Sequence, residues 1–557
     1  MASGTHDPRR RVAIVAVLVI AVAIVAGIAA IAVSRAGPGG GAALPPPRFV
    51  EEAAAAGLTH AFTGDYPYVV GGGVAAFDCD ADGKPDLYLA GGEGPAALFR
   101  NRSEVGGALR FEAIPSPITD LTAVPGAYPL DIDGDGNLDL VVLRIGENEV
   151  LRGLGDCRFE RANERFGLDG GAAWTTAFSA TWEGAAALPT LAFGNYLKLD
   201  ATGEATLDCD TGQLVRPGAA GATYAPPLTL APGYCPLSML FSDWDRTGRR
   251  DLRVSNDRHY YRDGEEQLWR MDPGAPPRLY TQDDGWASLH LWGMGIASQD
   301  LTGDGYPEVF LTSQGDNKLQ TLTEDGTRPA YHDIALQLGA LSTTPSVGGD
   351  GQASTAWHPA FGDVNDDGYP DLFITKGNVG REEDHAMKDP SDLLIGQADG
   401  TFAEATEASG LLQYGLARGA ALVDLNLDGS LDLVQVVRND NVQLWRGVGA
   451  GDATPPRSMG HWLQVRLDQP GPDRDAIGAW VEFRVGDRVT QRELTVGGGH
   501  VSGQLGWIHT GLGSATSADV RVTWPDGMVG PWMTVAADGF VRIERGATEA
   551  IPWTPGG

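Results

Sequence analysis

The chain has 557 residues, more than one hydrophobic core usually supports, which excludes a single small domain. Hydrophobic residues make up 42% of the chain, which excludes wholesale disorder, and its 77 glycines, about twice the usual share, predict many turns. Its 73 acidic and 41 basic residues give a formal net charge of −32, which would repel phosphate backbones and argues against nucleic acid as a partner.

The first apolar segment predicts a membrane anchor. Residues 12–33 are 22 consecutive residues without a polar side chain, and as a helix they would span about 33 Å, close to the thickness of the hydrocarbon core. A cleaved signal peptide is the alternative, but its apolar region is usually about 7–15 residues long. Arg9, Arg10 and Arg11 precede the segment and Arg35 follows it, which predicts that residues 1–11 are cytoplasmic. The rest of the chain is then periplasmic or extracellular, with residues 34–47 as a Gly/Pro-rich linker.

Internal repeats carry the strongest signal in the sequence. A nine-residue acidic pattern, D-x-[DNT]-x-[DT]-G-x-x-[DE], starts at Asp78, Asp131, Asp243, Asp300, Asp363 and Asp424. The starts are 53, 112, 57, 63 and 61 residues apart, so one interval is about double the others. Residues 182–190 (WEGAAALPT) lie where the missing copy should be, but they have lost its acidic residues. The sequence therefore predicts seven repeats, six of them with an acidic loop.

The composition of these loops is typical of a calcium site. Each loop places oxygen-bearing side chains at positions 1, 3, 5 and 9 and glycine at position 6, and such loops bind hard cations. These positions hold 20 of the 73 acidic residues, a density of like charge that favours a neutralising cation. An EF-hand is rejected, because the last acidic residue comes at position 9 instead of 12 and β-rich sequence flanks the loops. Turns that only cap hairpins are the alternative.

We therefore predict about six structural calcium ions, bound by the side chains at positions 1, 3, 5 and 9 and by the backbone carbonyl at position 7. The predicted ligands are Asp78, Asp80, Asp82, Lys84, Asp86, Asp131, Asp133, Asp135, Asn137, Asp139, Asp243, Asp245, Thr247, Arg249, Asp251, Asp300, Thr302, Asp304, Tyr306, Glu308, Asp363, Asn365, Asp367, Tyr369, Asp371, Asp424, Asn426, Asp428, Ser430 and Asp432.

The flanks of the loops predict an all-β fold. A short apolar strand enters each loop, an alternating strand leaves it, and two further strands follow. Four strands in each repeat of about 50–60 residues are typical of a propeller blade. The last repeat lacks its fourth strand, whereas residues 49–58 match residues 402–411 and stand before the first repeat. We predict a seven-bladed β-propeller over residues 48–456, with the N-terminal strand completing its seventh blade.

The repeats resemble the FG-GAP/VCBS family of calcium-loop β-propellers, which includes integrin α-subunit heads. This resemblance implies structural calcium and a protein or glycan ligand at a propeller face. Residues 459–546 are predicted to form a small β-sandwich, and residues 547–557 a tail. In the predicted sandwich, segments 473–479, 499–504, 509–513 and 522–527 resemble the ASPIC/UnbV module, which follows such propellers in cartilage acidic protein 1 and in bacterial envelope proteins. Asp473 stands where that pattern usually has Asn.

The four cysteines show no CxxC spacing, which gives no support to zinc or thioredoxin-like chemistry. Cys209 and Cys235 bracket one insertion and are the favoured disulfide pair, with two unrelated thiols as the alternative. The state of Cys79 and Cys157 stays open.

No hydrolase or nucleotide-binding motif occurs in a catalytic context. His500 and His509 are interpreted as turn and packing residues. The best enzymatic candidate is the run RHYYR at 258–262, which could neutralise and deprotonate an acidic sugar, as polysaccharide lyases do. We predict a membrane-anchored, extracytoplasmic, non-catalytic adhesion or binding protein for proteins or polysaccharides. A calcium-dependent carbohydrate-active enzyme and an envelope assembly scaffold are the alternatives.

Overall fold

A computed structural model describes residues 45–257, 264–323, 326–380, 382–451 and 459–556. The predicted anchor at 12–33 lies outside these residues. Among the residues described, no helix is long and apolar enough to cross a membrane. The helices in these ranges are α1 (Ala53–Ala56), α2 (Asn163–Phe166), α3 (Ala335–Leu338) and a 3-10 turn at Gln282–Asp284.

Seven antiparallel sheets follow one another along the described part of the chain up to residue 451. The strands of the first three are β1 (Pro47–Glu51), β2 (Val74–Phe77), β3 (Asp86–Leu89), β4 (Ala97–Asn101), β5 (Phe111–Ala113), β6 (Gly126–Leu130), β7 (Asp139–Leu143), β8 (Ile145–Gly146), β9 (Glu149–Gly153), β10 (Phe159–Arg161), β11 (Ala173–Thr181), β12 (Thr190–Asn195), β13 (Leu197–Leu199), β14 (Ala205–Cys209), β15 (Gly212–Val215) and β16 (Leu228–Leu230). Strand β1 belongs to the seventh sheet, and β13 and β14 form a separate hairpin.

The remaining four sheets are built in the same way. Their strands are β17 (Pro236–Ser242), β18 (Asp251–Asn256), β19 (Gln267–Arg270), β20 (Arg278–Leu279), β21 (Gly293–Gln299), β22 (Glu308–Ser313), β23 (Lys318–Leu322), β24 (Tyr331–Asp333), β25 (Ala356–Gly362), β26 (Asp371–Lys376), β27 (Asp392–Gly396), β28 (Phe402–Glu404), β29 (Ala417–Val423), β30 (Asp432–Val437) and β31 (Gln443–Ala450). The acidic loops connect the first and second strands of six of the sheets.

The order of the sheets is cyclic and propeller-like. The first strands of successive sheets are neighbours; the exception is β11 of the third sheet, which neighbours the second strand of the second sheet, β7. The cycle closes because β29 of the last sheet neighbours β2 of the first. Strand β1 pairs antiparallel with β31, placing Phe49 opposite Gly447 and Glu51 opposite Trp445. The prediction that the N-terminal strand completes the last sheet is confirmed. This pairing covers an edge strand and joins the two ends of the ring.

Two disulfides tie loops of the propeller-like part together. Cys209 and Cys235 are bonded, with 4.8 Å between their Cα atoms, as the insertion between them predicts. Cys79 and Cys157 are bonded as well, with 4.7 Å between their Cα atoms. This second bond links the first acidic loop to the loop between β9 and β10.

Residues 461–553 form two four-stranded sheets packed face to face. Their strands are β32 (His461–Asp468), β33 (Trp480–Val485), β34 (Arg488–Glu493), β35 (Gly503–Leu505), β36 (Ile508–Gly513), β37 (Ser517–Thr523), β38 (Met533–Ala536), β39 (Gly539–Glu544) and β40 (Ile551–Trp553). Strand β35 leaves the sandwich and pairs parallel with β2 of the propeller-like part. The core between the two sheets is aliphatic, with Val465, Val481, Val520 and Ile543 almost fully buried. Strand β40 falls within the residues predicted as a tail.

Candidate functional site

The six acidic loops share one backbone conformation. The residue at position 4 is left-handed in all of them, with φ from 57° at Leu427 to 73° at Gly303. The glycine at position 6 is left-handed too, with φ from 83° at Gly248 to 94° at Gly305 and Gly429. These larger φ values at position 6 lie beyond the left-handed region that other residues adopt, which explains the glycine in every copy. In loops 78–86 and 131–139 this conformation brings the carboxylates at positions 1, 3 and 9 together.

The carboxylate at position 1 stabilises the turn. In loop 424–432, Asp424 accepts hydrogen bonds from the backbone N–H groups of Asp428 at 3.1 Å and Gly429 at 2.8 Å. Equivalent bonds reach Asp78, Asp131 and Asp363 from positions 5 and 6 of their loops. These bonds use the lone pairs of the carboxylate only in part, so each oxygen retains capacity for a further partner.

The carboxylate at position 9 is almost fully buried in each loop and links two strands. Asp432 accepts from the N–H of Leu425 within the loop and from the N–H of Gly447 in β31, both at 2.9 Å. Asp86, Asp139 and Asp371 make the same pair of bonds. This residue therefore has a structural role in the sheet in addition to its predicted role as a ligand.

The oxygens at position 3 fit a cation. Asp80 Oδ1, Asp133 Oδ1 and Asn426 Oδ1 are buried and accept no hydrogen bond from any residue that the structure describes. Ligand oxygens of the carboxylates at positions 1, 3 and 9 lie within 4.8 Å of one another in the first loop, and the same is true of the second. A buried acceptor without a donor costs free energy, and a calcium ion is a partner that oxygen ligands of this kind take. The chemistry and spacing of these donor sets thus fit calcium.

In the first three loops, arginine side chains form ion pairs with carboxylates that are predicted to bind calcium. Arg100 ion-pairs with Asp80 at 3.2 Å, and Arg152 ion-pairs with Asp133 at 2.6 Å. Both arginines come from the third strand of their sheet and lie at the margin of the loop.

In loop 243–251 the arginine belongs to the loop itself. Arg249, at position 7, donates to Asp251 at 2.8 Å and to Asp245 at 3.0 Å. Tyr280 also donates its hydroxyl to Asp251 at 2.8 Å. The guanidinium thus already neutralises the carboxylates at positions 3 and 9, so this loop fits calcium least well of the six.

In the last three loops, 300–308, 363–371 and 424–432, the carboxylates are not neutralised in this way. No lysine or arginine of the described ranges forms an ion pair with their ligand carboxylates. Burial accordingly raises the pKa of Asp363 to about 8, that of Asp424 to about 7 and that of Glu308 to about 7. Without a cation these carboxyl groups are held partly protonated, so a bound cation would relieve the burial of charge in loops 300–308, 363–371 and 424–432.

Calcium is expected to raise the melting temperature more at pH 8 than at pH 6. The raised pKa values of Asp363, Asp424 and Glu308 exceed the value of about 4 for unfolded carboxyls. Their contribution to the stability of the metal-free protein is therefore complete at low pH and is lost as pH rises through 7 to 8. Calcium binds the ionised form and restores that stability. Melting temperatures of metal-free and calcium-saturated protein at both pH values test this; equal calcium-induced shifts would contradict it.

The β-sandwich covers the face of the ring that carries the acidic loops. Gln464 Nε2 donates to Asp424 at 2.6 Å, the N–H of Gly511 donates to Asp363 at 3.1 Å, and Trp507 Nε1 donates to the carbonyl of Gly83 at 3.1 Å. A methyl group placed on Gly429 would lie 1.9 Å from the ring of Trp462, so only glycine permits this approach. The loops are thus part of the interface between the two domains.

A glycine-rich segment of the sandwich, residues 496–505, enters the centre of the ring. Its backbone bridges Val496 to Ala180 of the third sheet, Gly497 to Leu240 of the fourth and Gly499 to Ile296 of the fifth.

The same segment then reaches the other four sheets. The N–H of His500 donates to His358 Nδ1 of the sixth sheet at 2.9 Å. Ser502 bridges to Ala127 of the second sheet, and its hydroxyl lies against Gly419 of the seventh. Strand β35 then joins the first sheet. The segment therefore contacts all seven sheets, and sequence reasoning missed this role, for which the run of three glycines before His500 is the only local signal.

His500 and His509 of the sandwich both have structural surroundings. His500 is fully buried beside Trp357, with 4.9 Å between the ring centroids, and burial lowers its pKa to about 3. His509 Nε2 lies 2.9 Å from the carbonyl of Gly429 and 3.0 Å from Asp366 Oδ1, bridging two acidic loops. These environments agree with the interpretation of both as packing residues. The lyase candidate at 258–262 lies outside the described residues.

Comparisons with known families agree with this architecture. Residues 469–550 match the family model described as ASPIC and UnbV, and residues 78–142 and 300–374 match the one described as FG-GAP-like repeat. No curated protein is significantly similar to the chain.

Similar solved structures include an Agrocybe aegerita lectin that recognises non-reducing terminal N-acetylglucosamine, with 15% identity, coverage of 65% of this chain and 88% of that chain, and a TM-score of 0.37. BBS1N in complex with ARL6DN has 11% identity, coverage of 72% and 96%, and a TM-score of 0.39. A Lactobacillus plantarum protein has 14% identity, coverage of 67% and 90%, and a TM-score of 0.37. At TM-scores this low the likenesses support no conclusion about this chain.

Proposed function

The chain carries FG-GAP-like repeats followed by an ASPIC and UnbV domain, and we propose that it is a calcium-stabilised, non-catalytic binding module for extracellular proteins or glycans. We further propose that the seven sheets are the blades of a closed seven-bladed propeller. The cyclic neighbourhood of their first strands and the pairing of β1 with β31 support this reading.

The observation that carries the calcium proposal is the set of buried oxygens without donors at position 3 of three loops. Calcium would replace protons and arginine side chains in neutralising the loop carboxylates. Because it would bind only the folded chain, it would stabilise that state by mass action. Because Arg249 already pairs with two carboxylates of its loop, we propose about five bound ions instead of the six expected from the sequence.

Two observations support a location outside the cytoplasm. Both cysteine pairs are disulfide-bonded, and disulfides persist mainly in oxidising compartments. The apolar segment at 12–33 would hold the chain at the membrane, with the folded part on the outer side.

A binding assay with a parallel test for turnover examines the proposed role. Full-length protein in detergent is incubated with immobilised extracellular polysaccharides and matrix proteins, in calcium and after chelation. We expect retention that depends on calcium and glycans that stay intact. Release of shortened or unsaturated sugars by the wild-type protein would instead establish the carbohydrate-active enzyme.

A further inference from the structure

The third sheet leaves a gap in the interface between the ring and the sandwich. In five loops the glycine at position 6 lies against a side chain of the sandwich, namely Trp553, Arg474, Gln491, Arg488 or Trp462. At Gly248 the sandwich is absent, since no atom lies within 4 Å of a methyl group placed there. The neighbouring third sheet has only the turn at 182–190, whose Ala185 is exposed. A cleft of about 1140 Å³ opens at this place.

Both domains contribute to the walls of the cleft. Trp182 and Arg246 come from the third and fourth sheets, and Trp480, Pro525 and Arg545 come from the sandwich. The volume is slightly above the range of about 300–1,000 Å³ that is usual for small-molecule sites. The cleft is therefore large enough for a ligand of several sugar rings.

Two arginines of the cleft, Arg246 and Arg250, form no ion pair with any carboxylate of the described residues. The guanidinium of Arg246 lies over the ring of Trp480, with 3.8 Å from Cζ to the centroid, and its Nη1 is buried without an acceptor among the described residues. Arg250 donates only to the backbone carbonyls of Gly478 at 3.1 Å and Pro525 at 2.7 Å, and its Nε has no acceptor in the same ranges. These arginines form a local cationic site in a chain of net charge −32.

Most carboxylates in the walls are already engaged, whereas Asp243 accepts from the N–H of Gly248 at 2.9 Å and lies near the charges of Arg246 and Arg250. Glu482 pairs with Arg521 at 2.5 Å, Asp526 pairs with Arg545, and Asp473 accepts from the N–H of Ile477 at 2.8 Å. The indole nitrogens of Trp182 and Trp480 are further donors without a partner among the described residues. Apart from Asp243 and the hydroxyl of Thr181, the hydrogen-bonding capacity left over in the cleft is therefore that of donors, which suits a ligand with carboxylate and hydroxyl oxygens.

We propose that this cleft binds an acidic oligosaccharide whose carboxylates are held by Arg246 and Arg250. The walls include turns at 182–186, 470–472 and 525–527, and the strands that contribute to them, β11, β33 and β37, are inner strands of their sheets. The cleft therefore offers no strand edge for an extended peptide, which favours a saccharide over an acidic peptide. This inference rests on the proposed function, for which it supplies a ligand class and a site.

The probe is a tetrasaccharide that contains glucuronic acid, compared with its carboxyl-reduced, neutral form. Binding to calcium-loaded full-length protein in detergent is measured by calorimetry. We expect Arg246→Ala and Arg250→Ala each to weaken binding about ten- to hundredfold, as is typical for loss of a charge-assisted hydrogen bond. The neutral form should bind equally weakly to all variants.

Three further variants distinguish occupancy of the cleft from loss of charge and from misfolding. Ala185→Trp adds an indole to the exposed wall of the cleft and should block binding, whereas Ala187→Trp, on the same turn but outside the lining, should not. Arg488→Ala removes a sandwich arginine at loop 363–371, away from the cleft, and serves as the matched control. All variants should melt within a few degrees of wild type.

The inference fails if the tetrasaccharide does not bind, if the cleft variants bind it like wild type, or if a glutamate peptide binds there in its place. Calcium binding and retention of ligands at another surface would then leave the proposed function intact. Absence of calcium binding together with absence of any ligand would reject the proposed function itself.

Discussion

Gly73→Ala is expected to lower the free energy of unfolding by about 1–3 kcal/mol or more, because it overfills the centre of the ring. A methyl group on Gly73 would lie 1.8 Å from the carbonyl oxygen of Val501 and 2.9 Å from the Cα of Gly126. All these atoms belong to backbone, so rotation of a side chain cannot relieve the clash. The segment at 496–505 would have to move, and the hydrogen bond from the N–H of Val74 to Ser502 at 3.1 Å would break.

Gly380→Ala is the matched control for this substitution. No atom lies within 4 Å of a methyl group placed on Gly380, so the same chemical change should have little effect there. Denaturant unfolding gives the difference in stability, and hydrogen exchange of the amides at 496–503 reports whether the segment has moved. If Gly73→Ala is as stable as Gly380→Ala and protection at 496–503 is unchanged, the segment does not fill the ring as described.

The parts of the fold that could be predicted from the sequence are those with a local or repeated signal. The spacing of the acidic loops located the sheets, and the similarity of residues 49–58 to residues 402–411 identified β1 as the missing strand of the last sheet. The loss of acidic residues at 182–190 was equally visible. Each of these features repeats a pattern that the chain itself supplies several times.

The docking of the sandwich could not be predicted in this way. The contact of Gly429 with Trp462 and the passage of residues 496–505 through the ring depend on the relative placement of two domains, which no periodicity records. Similarly, position 7 of the loops was assigned only a backbone carbonyl, whereas the side chain of Arg249 folds back onto Asp245 and Asp251. The cleft beside the third sheet likewise depends on the placement of the two domains, both of which line it.

Removal of calcium is expected to destabilise the protein more than any single substitution. The carboxylates of loops 300–308, 363–371 and 424–432 lack ion pairs with lysine or arginine of the described residues, so a bound ion would be their main source of compensating charge. Each site filled at 100 times its dissociation constant contributes about 2.7 kcal/mol to the stability of the folded state. Several such sites together would exceed the effect of one overpacked glycine.

A calorimetric calcium titration of metal-free, full-length protein in detergent, with the melting temperature followed in parallel, tests the central claim most directly. We expect about five bound ions and a large rise in melting temperature, with no ion in loop 243–251. Arg249→Ala should then add one further ion, because it frees Asp245 and Asp251. Binding of no ion or of a single ion, with an unchanged melting temperature, would contradict the account and reduce the acidic loops to hydrogen-bonded turns.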